Sequence, residues 1–561
     1  MKIKKKKKKK ENSHHSPDTY KGRLDVTRSG MGFVIVEGQE QDILVRPSEF
    51  NTALHGDTVR VRVTNKSSRN GRWQGEVAEV LERKQNEFLG HVEVSQSFAF
   101  FIAETDKPMP DIYIPLSKLN GAVANDRVIA RITEWEKNKK PQGEIIQIMD
   151  KGDENDMAMK EILLEAGFPI FFPENVLEES ERLPDQIGIA EINKRKDIRN
   201  ILTFTIDPVD ARDFDDAISI RTIKDGLLEI GVHIADVSHY VETETALDKE
   251  AYTRATSVYL PDRVNPMLPE RISNELCSLR PHEDKLTFSA IFQMTPKGEV
   301  KQHWLGKSAI HSDHRFTYED VQEIIEQKKG LHQPEIALLN DIAQRLRRQR
   351  FKKGAINFSS TEVRFKLDEK GKPVGIMVKE SKESHQLVEE FMLLANRTVA
   401  EYVGKIKFNK KPIPFPYRVH DTPDKEKLQP FIEFAKKYGH TFDTQTPQAI
   451  ASSFNQMLAD VQGKPEQHVL EQLGIRTMAK AIYTTENIGH YGLGFEHYCH
   501  FTSPIRRYPD VMVHRILQEL IEDKIEVDKK LEAKCRHSSE RERAAMESER
   551  AANKYKQVEY M

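Results

Sequence analysis

The sequence predicts a multidomain chain: two small all-β barrels at the N-terminus, then one large α+β domain. Three observations predict it. The 561 residues exceed what one hydrophobic core organises, since domains average about 150 residues. Two stretches inside the first 150 residues repeat one another at an offset of 68 to 69. Beyond them, a strand running into an acidic loop at residues 201–216 opens a long region of mixed strand and helix patterns.

Composition narrows the function classes. Lys plus Arg number 86 against 88 Asp plus Glu, so charge is dense but balanced and names no partner. It is unevenly placed: residues 1–150 carry 26 cations against 21 carboxylates, and residues 151–561 carry 60 against 67. Eight of those cations crowd the first ten residues, where like-charge repulsion and the lack of apolar residues predict a disordered tail over 1–18. Such a tail is either a salt-dependent tether to phosphate backbones or a solubilising end. Three separated cysteines, Cys277, Cys499 and Cys535, make neither a disulfide framework nor a zinc set and fit a reducing, cytoplasmic setting. No apolar run reaches the ~20 residues of a membrane span, and polar residues follow the basic start where a signal peptide needs an apolar stretch. The chain reads as neither secreted nor membrane-embedded.

Within the repeat, Gly22 matches Gly90, Phe33 matches Phe101, Asp42-Ile43 matches Asp111-Ile112, Pro47 matches Pro115 and Asp57 matches Asp126. Short alternating strands between Gly, Asn and Asp turns predict barrels over 19–82 and 83–150, similar to cold-shock-type OB barrels. Phe33, Phe98, Phe100 and Phe101, with nearby arginines, would form a stacking platform and a basic groove for single strands. The alternative is that these phenylalanines fill the barrel interior.

Residues 201–206 read as a buried strand that runs into Asp207-Pro208-Val209-Asp210-Ala211-Arg212-Asp213-Phe214-Asp215-Asp216. Pro208 cannot continue a central strand, so the chain loops, resumes as a strand at Ala217–Ile220, and turns at Asp225-Gly226 into a hairpin partner ending near Asp236. Two carboxylates ~5 Å apart repel by roughly 3 kcal/mol at an effective dielectric near 20, so converging anions need protons or cations. Hard oxygen-ligated ions suit them, Mg²⁺ or Mn²⁺ rather than zinc, and an EF-hand spacing is missing. Carboxylates around such an ion mainly serve phosphoryl chemistry. A merely solvated acidic loop is the competing reading.

Thr205 to Ala217 resembles the signature of the ribonuclease II and ribonuclease R exoribonuclease family. Further matching stretches follow in family order: Val232–Tyr240, Ser257–Pro261 with Pro266–Pro269, Tyr417–Asp421, Gly489–Leu493 and His500–Asp510. The resemblance runs from about residue 20 to the end. It implies a ribonuclease II-type catalytic domain over 151–535 and a helical connector over 536–561 leading to a C-terminal RNA-binding barrel that the chain lacks. It implies processive 3′-to-5′ hydrolysis of single-stranded RNA, and possible extension to structured RNA, to nucleoside 5′-monophosphates with Mg²⁺, or Mn²⁺, as cofactor.

The resemblance also assigns residues. Asp207, Asp213, Asp215, Asp216 and Arg506 would be catalytic, with Asp207, Asp213 and Asp216 holding the metal. Asp210 is either a site residue or a turn cap. Arg506 would grip a phosphate through its fork of donors, the alternative being a salt bridge to Asp510. Arg507 is a second RNA contact and Arg515 a weaker one. Tyr259 would stack on terminal bases with Phe358 as its clamping partner. Glu390, on an amphipathic helix over 387–396, would accept from the terminal 2′-hydroxyl, with Glu389 the competing choice. His233, His239, His490 and His500 read as structural. The expected partners are single-stranded RNA and the ribosome or RNA-degradation machinery, the chain acting as a monomer. The alternative from another class is a non-catalytic RNA-binding or chaperone protein on the same fold.

Overall fold

The computed structural model describes residues 18–39, 41–66, 72–149, 154–358, 362–408 and 410–561, so the lysine-rich start lies outside the described residues. The chain divides into two compact units, Met1–Phe171 and Phe172–Met561.

The first unit holds two closed five-stranded barrels. One is formed by β1 (Thr19–Val26), β2 (Gly32–Ile35), β3 (Ile43–Val45), β4 (Thr58–Asn65) and β5 (Gln74–Glu82). The other comprises β6 (Glu87–Val94), β7 (Ala99–Ala103), β8 (Ile112–Ile114), β9 (Arg127–Glu134) and β10 (Gln142–Ile148). The repeated residues are the ones the geometry needs. An added Cβ at Gly22 would lie 2.5 Å from the Ile35 carbonyl, and one at Gly90 would collide with that of Ile102. Asp57 and Asp126 close the same turn, accepting from the Leu54 and Val123 amides at 2.8 and 2.9 Å.

One sequence match is off by a residue. Phe33 pairs with Asp25 and Leu44, whereas Phe100, not Phe101, holds the corresponding place opposite Glu93 and Tyr113. The turn before β7 is one residue shorter than the turn before β2, and a one-residue slip exchanges the two faces of a strand. Phe101 is therefore fully buried in the core, while Phe33 and Phe100 remain half-buried. Each carries a cation at the matching position: Arg72 lies 5.8 Å from the Phe33 ring and Lys140 lies 4.2 Å from that of Phe100. Phe98 and Tyr113 complete an aromatic cluster around Phe100. The helix Glu154–Glu165 packs Leu164 and Met157 against Leu89 and Ile129, so this unit continues past residue 150 to Phe171.

The second unit is organised by a seven-stranded sheet. Its strands are β11 (Lys196–Asp197), β12 (Thr203–Asp207), β13 (Asp216–Thr222), β14 (Leu228–Ala235), β17 (Asp284–Met294), β18 (Val300–His311) and β19 (His314–Thr317). A short hairpin, β15 (Val258–Tyr259) with β16 (Val264–Asn265), lies between β14 and β17 in the chain. The order across the sheet is β11-β18-β17-β14-β13-β12-β19, antiparallel except at its two margins. Phe204, Ile206, Ile218, Val232, Phe288 and Phe292 belong to one core with the helices Gln333–Lys352 and Glu383–Lys405. Burying each such side chain contributes about 1.5–3 kcal/mol. A second core gathers Ala217, Ala235, Ile291 and Ile310 with residues of the helices Ala246–Arg254, Tyr508–Ile521 and Leu531–Tyr560. The 30-residue terminal helix thus begins before residue 536 and buries Cys535, Ala545 and Ala552. All three cysteines are free and buried. Among the described residues no helix is long and apolar enough to cross a membrane.

Candidate active site

The acidic loop joins two adjacent strands, so the sheet fixes both of its ends. Asp207 closes β12, Asp216 opens β13, and β12 pairs with both β13 and β19. Between them the loop is clipped at several points. Arg315 Nη2 donates to the Pro208 carbonyl at 2.5 Å and to that of Val209 at 3.0 Å. Ser278 accepts from the Phe214 amide at 3.0 Å and donates to the Arg212 carbonyl at 2.7 Å. The Ile505 amide donates to Asp215 Oδ1 at 2.9 Å. Phe214 is buried in the second core beneath the Arg315 guanidinium.

Electrostatics mark the loop as unusual. Burial raises the pKa of Asp207, and repulsion from Asp216 and then Asp213 adds to it. Burial also raises Asp216, Asp213 and Asp215, with Arg506 opposing the shift in all three. Four neighbouring carboxyl groups resist ionisation together, which is the pattern of a functional site. Asp207 Oδ2 is buried without a hydrogen-bond partner. Asp210 is exposed.

Arg506 Nε lies 3.7 Å from Asp215 Oδ2, and its side chain keeps 41% of its surface exposed. It does not pair with Asp510; Arg507 does, at 2.8 Å. The Arg507 side chain, expected to contact RNA, is only 17% exposed and is engaged with that fully buried carboxylate. Arg515 likewise turns inward to Asp248. Tyr259 remains accessible, with its hydroxyl 3.5 Å from Asp213 Oδ2 and its amide donating to Glu549 of the terminal helix at 3.1 Å. Phe358 is not beside it: its ring contact is with Phe454, 5.7 Å away in a separate helical cluster. Glu390 is buried and receives the Arg350 guanidinium, whereas Glu389 is 43% exposed. Tyr318 adjoins the acidic pair, which, after burial, raises its pKa.

The histidines are engaged by protein partners or burial. His233 sits between Ser219 and Ser289 at 2.7 Å each, and burial lowers its pKa to about 3. His490 is lowered to about 3 by burial and His420, His500 bonds Tyr483, and His239 lies 3.7 Å from Glu191. Sequence reasoning missed Arg315, Ser278, Tyr318 and Glu549. Only Tyr318 left a signal, as an aromatic following the Thr317 cap of a new helix.

The donor set suits a hard divalent cation: oxygen only, buried at Asp207 and half-buried at Asp213 and Asp216, mutually repelling, with one orphaned carboxylate oxygen. Among the described residues no three His, Cys, Asp or Glu side chains are already gathered to hold a metal. The two facts agree for Mg²⁺, which is usually held by one or two carboxylates completed by waters and substrate phosphates.

Comparison with known proteins places these features in a family. Residues 195–523 match the RNB domain, 22–80 the ribonuclease B OB domain and 100–173 the cold shock domain. Ribonuclease R of Aquifex aeolicus is 35% identical over 95% of this chain and 76% of its own length. Ribonuclease R of Thermotoga maritima is 36% identical over 97% and 78%. The structure of Mycoplasma genitalium RNase R in complex with ribose methylated single-stranded RNA aligns with a TM-score of 0.76 at 27% identity, covering 96% of this chain and 86% of that one. With the RNB domain alone matching more than half of its length, the chain belongs to the ribonuclease R family of exoribonucleases.

Proposed function

We propose that the chain degrades single-stranded RNA processively from its 3′ end, hydrolysing the terminal phosphodiester and releasing nucleoside 5′-monophosphates. The observation that carries this is the buried acidic loop, whose carboxyl groups repel one another beside the half-exposed Arg506. Asp207, Asp213 and Asp216 would hold Mg²⁺ or Mn²⁺, and the chemistry such an ion supplies when bound is activation of water and stabilisation of the leaving oxygen. Asp215, fixed by the Ile505 amide, orients Arg506. Arg506 then binds the phosphate next to the scissile bond through its planar donors. Tyr259 stacks on a terminal base irrespective of its identity. Glu390 retains acceptor capacity for the terminal 2′-hydroxyl, since a carboxylate offers about four lone-pair sites. The half-buried Phe33 and Phe100, each with its cation, provide stacking sites for the incoming strand.

Product analysis tests the proposal. RNA labelled at its 3′ terminal nucleotide should release that nucleotide first, as a 5′-monophosphate; internal fragments or 3′-phosphates would contradict it. The alternative from another class, RNA binding without catalysis on the same fold, is separated by the same assay. That reading predicts tight binding and no released nucleotide at any Mg²⁺ or Mn²⁺ concentration.

A further inference from the structure

We infer that Arg350, assisted by Arg347, is a positioning residue for ribose recognition: it fixes the carboxylate plane of Glu390, so that preference for a ribose end depends on a guanidinium that does not touch the RNA. This rests on the reading that Glu390 accepts from the terminal 2′-hydroxyl.

The two arginines stand three residues apart on the helix Gln333–Lys352 and so share one face. Arg350 Nη2 donates to Glu390 Oε1 at 2.5 Å, and its Nε reaches both carboxylate oxygens at 3.2 and 3.3 Å. Both side chains are buried, at 6% and 3% exposure. Arg347 Nη1 lies 3.4 Å from Glu389, and its Nη2 donates to Asn357 Oδ1 at 3.0 Å. The Asn357 amide in turn donates to Asn455. One pair of arginines therefore ties the helix Glu383–Lys405 to the segment that leads into Phe358.

A stability role explains this poorly, since apolar residues in place of a buried ion pair are often neutral or stabilising. An orienting role explains it better. A glutamate has three side-chain torsions, and a forked donor on both oxygens locks the last of them. These three bonds leave Oε2 accepting only one long contact, with lone-pair capacity to spare for a hydroxyl donor. The same helix reaches the acidic site on either side of Glu390. His385 stacks on Tyr318 at 4.2 Å, and Asn396 accepts from the Phe501 amide at 2.8 Å, five residues before Arg506.

The test compares kcat/KM on an RNA oligomer with the same oligomer carrying a 2′-deoxy terminal nucleotide. Glu390→Gln should lower the ribose-to-deoxyribose ratio about tenfold. Arg350→Lys, which keeps the charge but loses the fork, should lower it similarly while the rate on the deoxy end stays within about twofold. Should Arg350→Lys fail to fold, Arg347→Gln, which cuts the ties to Asn357 and Glu389, should lower the ratio about threefold. An unchanged ratio in Glu390→Gln would overturn the ribose reading and the inference with it. A reduced ratio in Glu390→Gln with an unchanged one in folded Arg350→Lys or Arg347→Gln would overturn the inference alone, as would equal losses on both ends.

Discussion

The Ile505 amide donates to Asp215 Oδ1 at 2.9 Å across 290 residues of sequence, joining the acidic loop to the segment that carries Arg506. An amide oxygen can also accept that bond, so Asp215→Asn keeps the join and removes the carboxyl group facing Arg506. Turnover should fall at least about a hundredfold, the size of losing one preorganised electrostatic contact. RNA affinity should stay within about threefold, and the melting temperature should not drop, because a desolvated carboxyl has been replaced. Parallel activity, binding and melting measurements check this; loss of binding would mean that Asp215 supports the fold instead.

Divalent ions should stabilise the second unit. If Asp207 and Asp216 share an ion, Mg²⁺ at about a hundredfold excess over its Kd adds ~2.7 kcal/mol, or about 3 °C in melting temperature for a unit of this size. The Asp207→Asn/Asp216→Asn double variant should melt at the same temperature with and without Mg²⁺. An equal Mg²⁺ shift in both proteins would place the ion elsewhere.

Neighbouring phenylalanines in the second barrel should behave oppositely. Phe100→Ala removes a half-buried ring under Lys140 and should weaken single-stranded RNA binding about tenfold, within the ~1–3 kcal/mol of one base stack, without unfolding the barrel. Phe101→Ala removes a fully buried ring and should cost about 3–5 kcal/mol of barrel stability. Calorimetry alongside RNA titration separates them, and reversed outcomes would restore Phe101 to the RNA face.

Acid should weaken the second unit through Asp236. Burial alone would raise its pKa, but Lys307 and Arg195 outweigh burial and hold it below the usual carboxylate range. A lowered pKa contributes stability above the unfolded value, near 4, that is lost as pH falls toward the folded one. Asp236→Ala leaves Arg195 without that partner and should cost about 3 kcal/mol at pH 7. Denaturant titrations of both proteins from pH 7 to pH 3 should show this gap narrowing below about pH 4; a gap that widened would reverse the assignment.

What the sequence disclosed follows from how local each constraint is. The barrels were legible because their turn residues, Gly22 with Gly90 and Asp57 with Asp126, recur in order. The slip between Phe33 and Phe101 arose because a one-residue turn difference is invisible until register is known. The acidic loop was legible because its carboxylates are consecutive. Arg315, Glu549 and Arg350 were not, since each acts on residues 107, 290 and 40 positions away. Arg506 and Arg507 look equivalent in the chain, yet adjacent backbone turns one toward Asp215 and buries the other on Asp510.

The most direct measurement is a time course of 5′-labelled single-stranded RNA with Mg²⁺, run beside the same oligomer as DNA. The account predicts that the RNA alone shortens from its 3′ end to a small limit product while the 5′ label is retained. Intact RNA bound tightly throughout, or equal shortening of RNA and DNA, would contradict it.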